Sequence, residues 1–271
     1  MTNPAPIPIG VSGALGRMGQ VTAGLVSARE DMTLAALIDR PELAGEPVGE
    51  LAFGDMTLSR AEDALKACTV VVDFSSAQAS AALARLAAGG GRAALVIGST
   101  GFSPADEAAV REAAGRVAIV KSGNYSLGVN LLLGLVEQAT RALSADYDIE
   151  VFEAHHRRKV DAPSGTALML GAAAAKGRGV DLAAVSERAR DGLTGARAPG
   201  AIGFSVMRGG GIVGEHSVVL AAEDEIITLS HSARDRSLFA RGALEAARWV
   251  AGKPPGLYDM QDVLGLRSPR A

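Results

Sequence analysis

Hydrophobic and polar positions give the 271-residue chain two textures. In the first half, short β-branched runs alternate with stretches of helical period. "PIPIGVS", "TLAALID", "CTVVVDFS", "AALVIGST" and "VAIVKSG" have the length and make-up of buried strands. An amphipathic stretch follows "GALGRMG" and runs to about Arg29. Another, "SPADEAAVREAAG", opens with Ser103 as cap, Pro104 at the first helical position and Asp106 at the third. Strands alternating with helices predict a parallel sheet covered on both faces, a Rossmann-like α/β domain.

After a long helix in "NYSLGVNLLLGLVEQATRAL" the texture changes. "YDIEVFEAHH" reads as a strand and "DAPSGTALMLGAAAAKG" as a helix. "HSVVLAAE" and "EIITLSHSA" are extended segments behind the Gly-rich "MRGGGIVGE". Strands in succession with few helices predict an α+β domain with a mixed, largely open sheet. The last helix, "SLFARGALEAARWVAG", is patterned like those of the first half and is expected to return there. The predicted division is 1–129 with 239–271 for the first domain and 130–238 for the second.

Composition narrows the partners. The net charge of -3 offers no general attraction to nucleic acid or anionic membranes, so recognition of an anion must be local. The single cysteine, Cys68, lies in the buried-strand run "ACTVVVDF"; it suits a reducing compartment and reads as core packing. No apolar run approaches the roughly 20 residues that cross a bilayer, and the start of the sequence lacks an export signal. A cytoplasmic location is expected.

Two stretches carry chemistry. "IGVSGALGRMG" sets Gly13, Gly16 and Gly19 after a strand and at the mouth of a helix, where backbone N–H groups can approach a pyrophosphate. The spacing alone is weak evidence, and its setting strengthens it. Asp39, ending the second strand in "ALIDR", can accept from ribose hydroxyls, and Arg40 beside it can hold a 2′-phosphate. The pair therefore allows either NADH or NADPH. "GSTG", Gly98 to Gly101, is a further small-residue turn at the sheet's carboxyl edge.

The second stretch, "EAHHRRKVDAPSGTA", contains two of the four histidines. His155 and His156 point to opposite faces of a strand, which suits one to proton transfer and the other to orienting substrate. Lys159 can pair with a carboxylate or deliver a proton. Pro163 suits an early helical position, and N–H groups around Ser164, Gly165 and Thr166 open a helix where a carboxylate could dock. Arg157, Arg158 and Lys159 would repel a metal cation, and no ligand set completes one. Together these features suit a small dicarboxylate. His216 and His231 lack such neighbours; His231 reads as a packed core or interface histidine.

The stretch resembles, without a break, the pattern E-x-H-H-x-x-K-x-D-A-P-S-G-T-A of the 4-hydroxy-tetrahydrodipicolinate reductase family. "GALGRMG", "GSTG", "SGNYSLGVN" and "GLYDMQDVLGL" are similar to its other landmarks, in the same order. Ser99 stands where threonine is common and Tyr125 where phenylalanine is common. The resemblance implies reduction of a doubly acidic heterocycle by NADH or NADPH in diaminopimelate and lysine biosynthesis, by a homotetramer. It implies His155 as proton donor and acceptor, Lys159 as proton donor, and His156, Gly165 and Thr166 as substrate contacts. It places Gly13, Ala14, Leu15, Gly16, Arg17, Met18, Asp39, Arg40, Gly98, Ser99, Thr100, Ser122, Gly123, Asn124 and Tyr125 along the cofactor. Closure about a hinge near "SGNYSLGVN" is expected for hydride transfer. Another two-domain nicotinamide enzyme explains the glycine loop but not the histidine stretch. A non-catalytic dinucleotide sensor would not need His155 and Lys159 beside an anion site.

Overall fold

A computed structural model describes residues 5–49 and 55–266; the predicted first domain's extreme ends lie outside them. The chain divides into two compact units, Met1–Ser126 with Ser237–Ala271, and Leu127–Arg236.

The first unit opens with β1 (Ile7–Ser12), α1 (Arg17–Ser27), β2 (Met32–Ile38) and α2 (Ala61–Ala67). It continues through β3 (Val70–Asp73), α3 (Ala77–Ala88), β4 (Ala94–Ile97), α4 (Pro104–Ala113) and β5 (Ala118–Lys121). The expected capping box forms: Ser103 and Asp106 exchange side-chain-to-backbone bonds at the start of α4. Such a box satisfies two of the N–H groups that a helix start leaves without intrahelical partners.

The second unit begins with α5 (Leu127–Ala142), β6 (Asp148–His155), α6 (Gly165–Arg178) and the short α7 (Leu182–Val185). Its remaining strands are β7 (Ser186–Glu187), β8 (Ile202–Arg208), β9 (Gly214–Ala221) and β10 (Ile226–Ala233). The chain then returns to the first unit as α8 (Ser237–Val250), β11 (Gly256–Tyr258) and α9 (Met260–Val263). There α8 packs on α1, β3 and β4, and β11 pairs in parallel with β5.

The first sheet is wholly parallel, in the order β2-β1-β3-β4-β5-β11. Its central strands are buried on both faces, which is why they read as unbroken Val, Ile and Leu runs. Beyond β2, among the described residues, a single parallel bridge, Leu37 to Leu58, marks where a third strand of a Rossmann half-sheet would stand. Strand order reverses between β1 and β3, and such a switch point opens a crevice at the carboxyl ends of the strands.

The second sheet is mixed, in the order β10-β9-β6-β8-β7. Strand β6 runs parallel to β8 and antiparallel to β9. The parallel β8 strand, "IGFSVMR", was not among the sequence-predicted elements. Helices α5 and α6 cover one face, over a core that includes Val151, Leu170, Ile202 and Leu220. On β6 the row facing that core runs Ile149, Val151, Glu153, His155, so an apolar row turns polar toward the strand's end.

Candidate active site

In the first unit, a cavity of about 630 Å³ lies at the carboxyl ends of β1, β2 and β3. Gly13, Leu15, Gly16, Asp39 and Arg40 line it, with Phe74, Ser75 and Ser76 from the turn after β3. The volume falls within the range of small-molecule and cofactor pockets. Gly13 has φ +74, and a Cβ on it would come 2.8 Å from the Phe74 carbonyl oxygen. At Gly19 a Cβ would sit 2.0 Å from the Gly13 oxygen, so only glycine lets α1 begin this close to the loop. Asp39 accepts from the N–H groups of Leu15 and Arg40, both at 2.9 Å, which ties the glycine loop to the end of β2. These residues fit a dinucleotide: a glycine cradle at a helix start, an acid at the end of the second strand and an apolar wall behind.

The other predicted cofactor residues fall into two groups. Arg17, Thr100 and Gly123 are exposed, Met18 and Ser122 half-buried, and Ala14 fully buried. Gly98 lies against Phe74, whose ring a Cβ would strike at 2.3 Å. Ser99, Asn124 and Tyr125 are buried, and their side chains have structural partners. The Ser99 hydroxyl bonds that of Ser80, which donates to the Asp73 carboxylate, in a buried chain. Tyr125 donates to the Ile97 and Val120 carbonyls at 2.9 and 3.0 Å, and Asn124 Oδ1 accepts from Ser126 N at 2.8 Å.

In the second unit, Glu153 and His155 share the inner face of β6, and His216 stands directly across from Glu153 on β9. Glu153 is fully buried and has four donors. Arg208 reaches it twice, at 2.7 Å from each Nη; Ser164 N donates at 2.9 Å and His155 Nδ1 at 2.6 Å. Burial alone would raise the Glu153 pKa, but Arg208, His155 and the Ser164 N–H outweigh it, and the pKa is lowered. The carboxylate is therefore ionised, and His155 must carry its proton on Nδ1 to meet it. His216 packs edge-on against the His155 ring, with centroids 5.1 Å apart. Its Nε2 lies 3.2 Å from Ser164 Oγ. Burial, and then the neighbouring His155, push the His216 pKa down to about 4, so the ring is neutral near pH 7.

His156 lies just past the strand, and its Nε2 accepts from Arg236 at 3.0 Å. Partial burial, with Arg158 and Arg236 nearby, lowers its pKa. Lys159 Nζ pairs with Asp161 at 2.8 Å, and Lys159 N donates to the His156 carbonyl, which curls the segment back on itself. Arg157 and Arg158 are exposed.

Three sequence expectations need correction. Pro163 is not within the helix: Ser164 is the N-cap, accepting from Ala167 N, so Pro163 precedes it. The Ser164 N–H is not available to a ligand, because Glu153 holds it; Gly165 and Thr166 are the first residues of α6. His216 does have neighbours in the histidine stretch, namely the His155 ring and the Ser164 hydroxyl. Glu153 and Arg208 also carried no predicted role. An acid at strand parity with His155, ending an apolar row, was a readable signal for Glu153. Arg208 reaches across from the unpredicted strand β8, and nothing local in the sequence marked it.

The model of the dihydrodipicolinate reductase N-terminus matches residues 7–125, and that of its C-terminus matches residues 128–264. The chain belongs to the dihydrodipicolinate reductase family. It is 60% identical over 263 residues to the 4-hydroxy-tetrahydrodipicolinate reductase of Caulobacter vibrioides, covering 97% of this chain and 98% of that one. To the enzyme of the same name from Allorhizobium ampelinum it is 54% identical over 266 residues, covering 96% and 98%. Among solved structures, the dipicolinate-bound dihydrodipicolinate reductase of Paenisporosarcina sp. TG-14 superposes with a TM-score of 0.75 at 21% identity. That likeness covers 95% of this chain and 98% of that one and bears on the fold. Membership in this reductase family makes the chain an NAD(P)H-dependent oxidoreductase.

Proposed function

We propose that the chain reduces 4-hydroxy-tetrahydrodipicolinate to tetrahydrodipicolinate with loss of water, in diaminopimelate and lysine biosynthesis, and that the histidine cluster performs the proton chemistry. The observation that carries this reading is His155, held by the buried Glu153 so that Nε2 is the nitrogen left to exchange a proton. NAD(P)H, when bound along the glycine loop and Asp39, supplies a hydride to an electron-poor carbon of the dehydrated substrate. The ring then gains negative charge, which a proton must quench. His155 gives or takes that proton at Nε2, and the Lys159 ammonium is the second donor. Gly165 and Thr166, opening α6, bind one carboxylate with help from the helix dipole, while His156 orients the ring. The dipicolinate named for the Paenisporosarcina enzyme is itself a flat dicarboxylate and fits this division of roles.

The same reading includes a homotetramer in the cytoplasm. Supporting it, the face of the second sheet opposite α5 and α6 exposes Phe152, Met207 and Ile226, at 37%, 48% and 67%. Among the described residues, no helix is long and apolar enough to cross a membrane.

The test is a coupled assay with freshly generated substrate, following nicotinamide absorbance. His155→Ala and Lys159→Ala should each lower kcat by at least about 100-fold, with cofactor affinity kept. Normal turnover in both variants would end the assignment of roles.

A further inference from the structure

The cluster contains more than the proposed reaction uses. Glu153 is a carboxylate with no solvent exposure, a costly burial unless it is fully paired. Arg208 and the Ser164 N–H already complete a structural tie between β8, β6 and the cap of α6. The fourth donor is an imidazole at 2.6 Å, which a purely structural carboxylate would not require. Arg208 is itself fixed, donating to the carbonyls of Asp161 at 2.6 Å and Met207 at 2.7 Å. One guanidinium thus joins the carboxylate behind His155 to the segment that presents Lys159.

The opposite edge of the His155 ring is kept clear. A Cβ at Gly214 would come 3.2 Å from His155 Nε2 and 3.6 Å from the His216 ring, so glycine preserves room beside the exchanging nitrogen. The groups around His155 are Glu153 at Nδ1, with Arg208 and the Ser164 N–H bound to that carboxylate, and the neutral His216 ring edge-on.

We propose that Glu153 and Arg208 are positioning residues of the reductase reaction. The clamped carboxylate holds His155 in the tautomer with Nδ1 protonated, so that Nε2 alone takes and returns the substrate's proton. The inference rests on the proposed role of His155. Its physical basis is that an imidazole donor fixed by a buried, oriented acid cannot rotate or change tautomer, so the exchanging nitrogen keeps its place. A free imidazole samples both tautomers and divides its time between productive and unproductive states.

The test pairs kinetics with ring-nitrogen NMR on the full-length protein labelled with 15N-histidine; four histidines keep the spectrum assignable. Glu153→Gln should lower kcat roughly 30-fold or more while KM for NAD(P)H stays within about twofold. The His155 nitrogens should move from a single Nδ1–H tautomer to a mixture. If the orphaned Arg208 charge prevents folding, the double variant Glu153→Gln/Arg208→Gln removes both charges and should give the same two results. Either of two outcomes in a folded variant would overturn the inference: kcat within about threefold of the parent, or an unchanged single tautomer. A loss confined to KM would assign the pair to scaffold only and also overturn it. His155→Ala is the control that separates the levels. If that variant turns over normally, the underlying role fails; if it is crippled while Glu153→Gln is not, only the positioning role fails.

Discussion

At the glycine loop, the surface offered to a ligand is mostly backbone, whereas at the histidine cluster it is mostly side chain. The first site has Gly13, Gly16 and Gly19 around a helix start, an apolar wall, and one acid already accepting two N–H groups. The second holds a buried carboxylate, a guanidinium clamped upon it and two imidazoles packed edge to face. The difference follows the chemistry. A pyrophosphate is the same in every dinucleotide, and fixed N–H dipoles bind it without titrating. A substrate that must gain a proton needs groups whose protonation state is set by their surroundings. The backbone site should therefore be sensitive to added atoms and indifferent to pH, whereas the side-chain site should respond to pH.

At the backbone site, the largest effect is expected from Gly19→Ala. Its methyl would need space 2.0 Å from the Gly13 carbonyl oxygen, so the loop must shift away from α1. Overpacking of this kind costs about 1–3 kcal/mol, so NAD(P)H affinity should fall roughly 5- to 150-fold, with a flat pH dependence. Fluorescence titration of cofactor would show it. Unchanged affinity would mean that the loop yields easily and that the cradle is not rigid.

The same contrast explains what could be read from the sequence. The parallel sheet was legible because strands buried on both faces must be apolar throughout, as "VVVD" and "ALVI" are. The glycine loop and the Ser103 cap were legible because each is a local device within a few residues. The histidine cluster was legible only in part. His155, His156 and Lys159 announce themselves by proximity in sequence. Glu153 partners Arg208, 55 positions away, and His216 meets Ser164 across 52 positions. The first pairing depends on β8 lying parallel to β6 and the second on β9 lying antiparallel to it; β8 has a mixed pattern, with Val206 and Met207 exposed, that resembles neither strand type cleanly. Likewise Tyr125 and Ser99 lie in loops the sequence marks for ligand, yet their side chains turn inward to brace the sheet's edge.

His216 sharpens the comparison at an intermediate scale. Its ordinary pKa is 6.5 and its folded value is about 4, so between these pH values the unfolded chain binds more protons than the native one. Stability should therefore fall as pH drops from about 6.5 toward about 4, by on the order of 3 kcal/mol at most. Glu153, with its lowered pKa, also loses its contribution in acid, but only below the ordinary carboxylate range, so His216 acts first. His156 and His231 shift in the same direction as His216 and leave a residual slope. Thermal melts from pH 7.5 to 4.5 should show a falling Tm, with a clearly shallower slope in His216→Phe. Parallel slopes in the two proteins would mean that His216 is not held neutral by the fold.

The smallest effect tests whether the backbone site has a side-chain component at all. Arg40 is 68% exposed, with Nε 3.9 Å from Asp39 and Nη1 3.8 Å from Glu42, so neither carboxylate holds it firmly. A solvated guanidinium at the rim of the cavity can turn toward a 2′-phosphate at little cost. Asp39, beside it, keeps lone pairs for the ribose hydroxyls of a cofactor lacking that phosphate. Exposed charge pairs are worth up to about 1 kcal/mol, so Arg40→Ala should raise KM for NADPH by about fivefold and leave NADH within about twofold. The NADPH effect should also shrink as salt is raised, because the charges are screened over about 8–10 Å at moderate ionic strength. Equal changes for both cofactors would place Arg40 in the support of the loop. Dinucleotide recognition in the first unit would then rest on backbone and Asp39 alone, and the contrast with the histidine cluster would be sharper still.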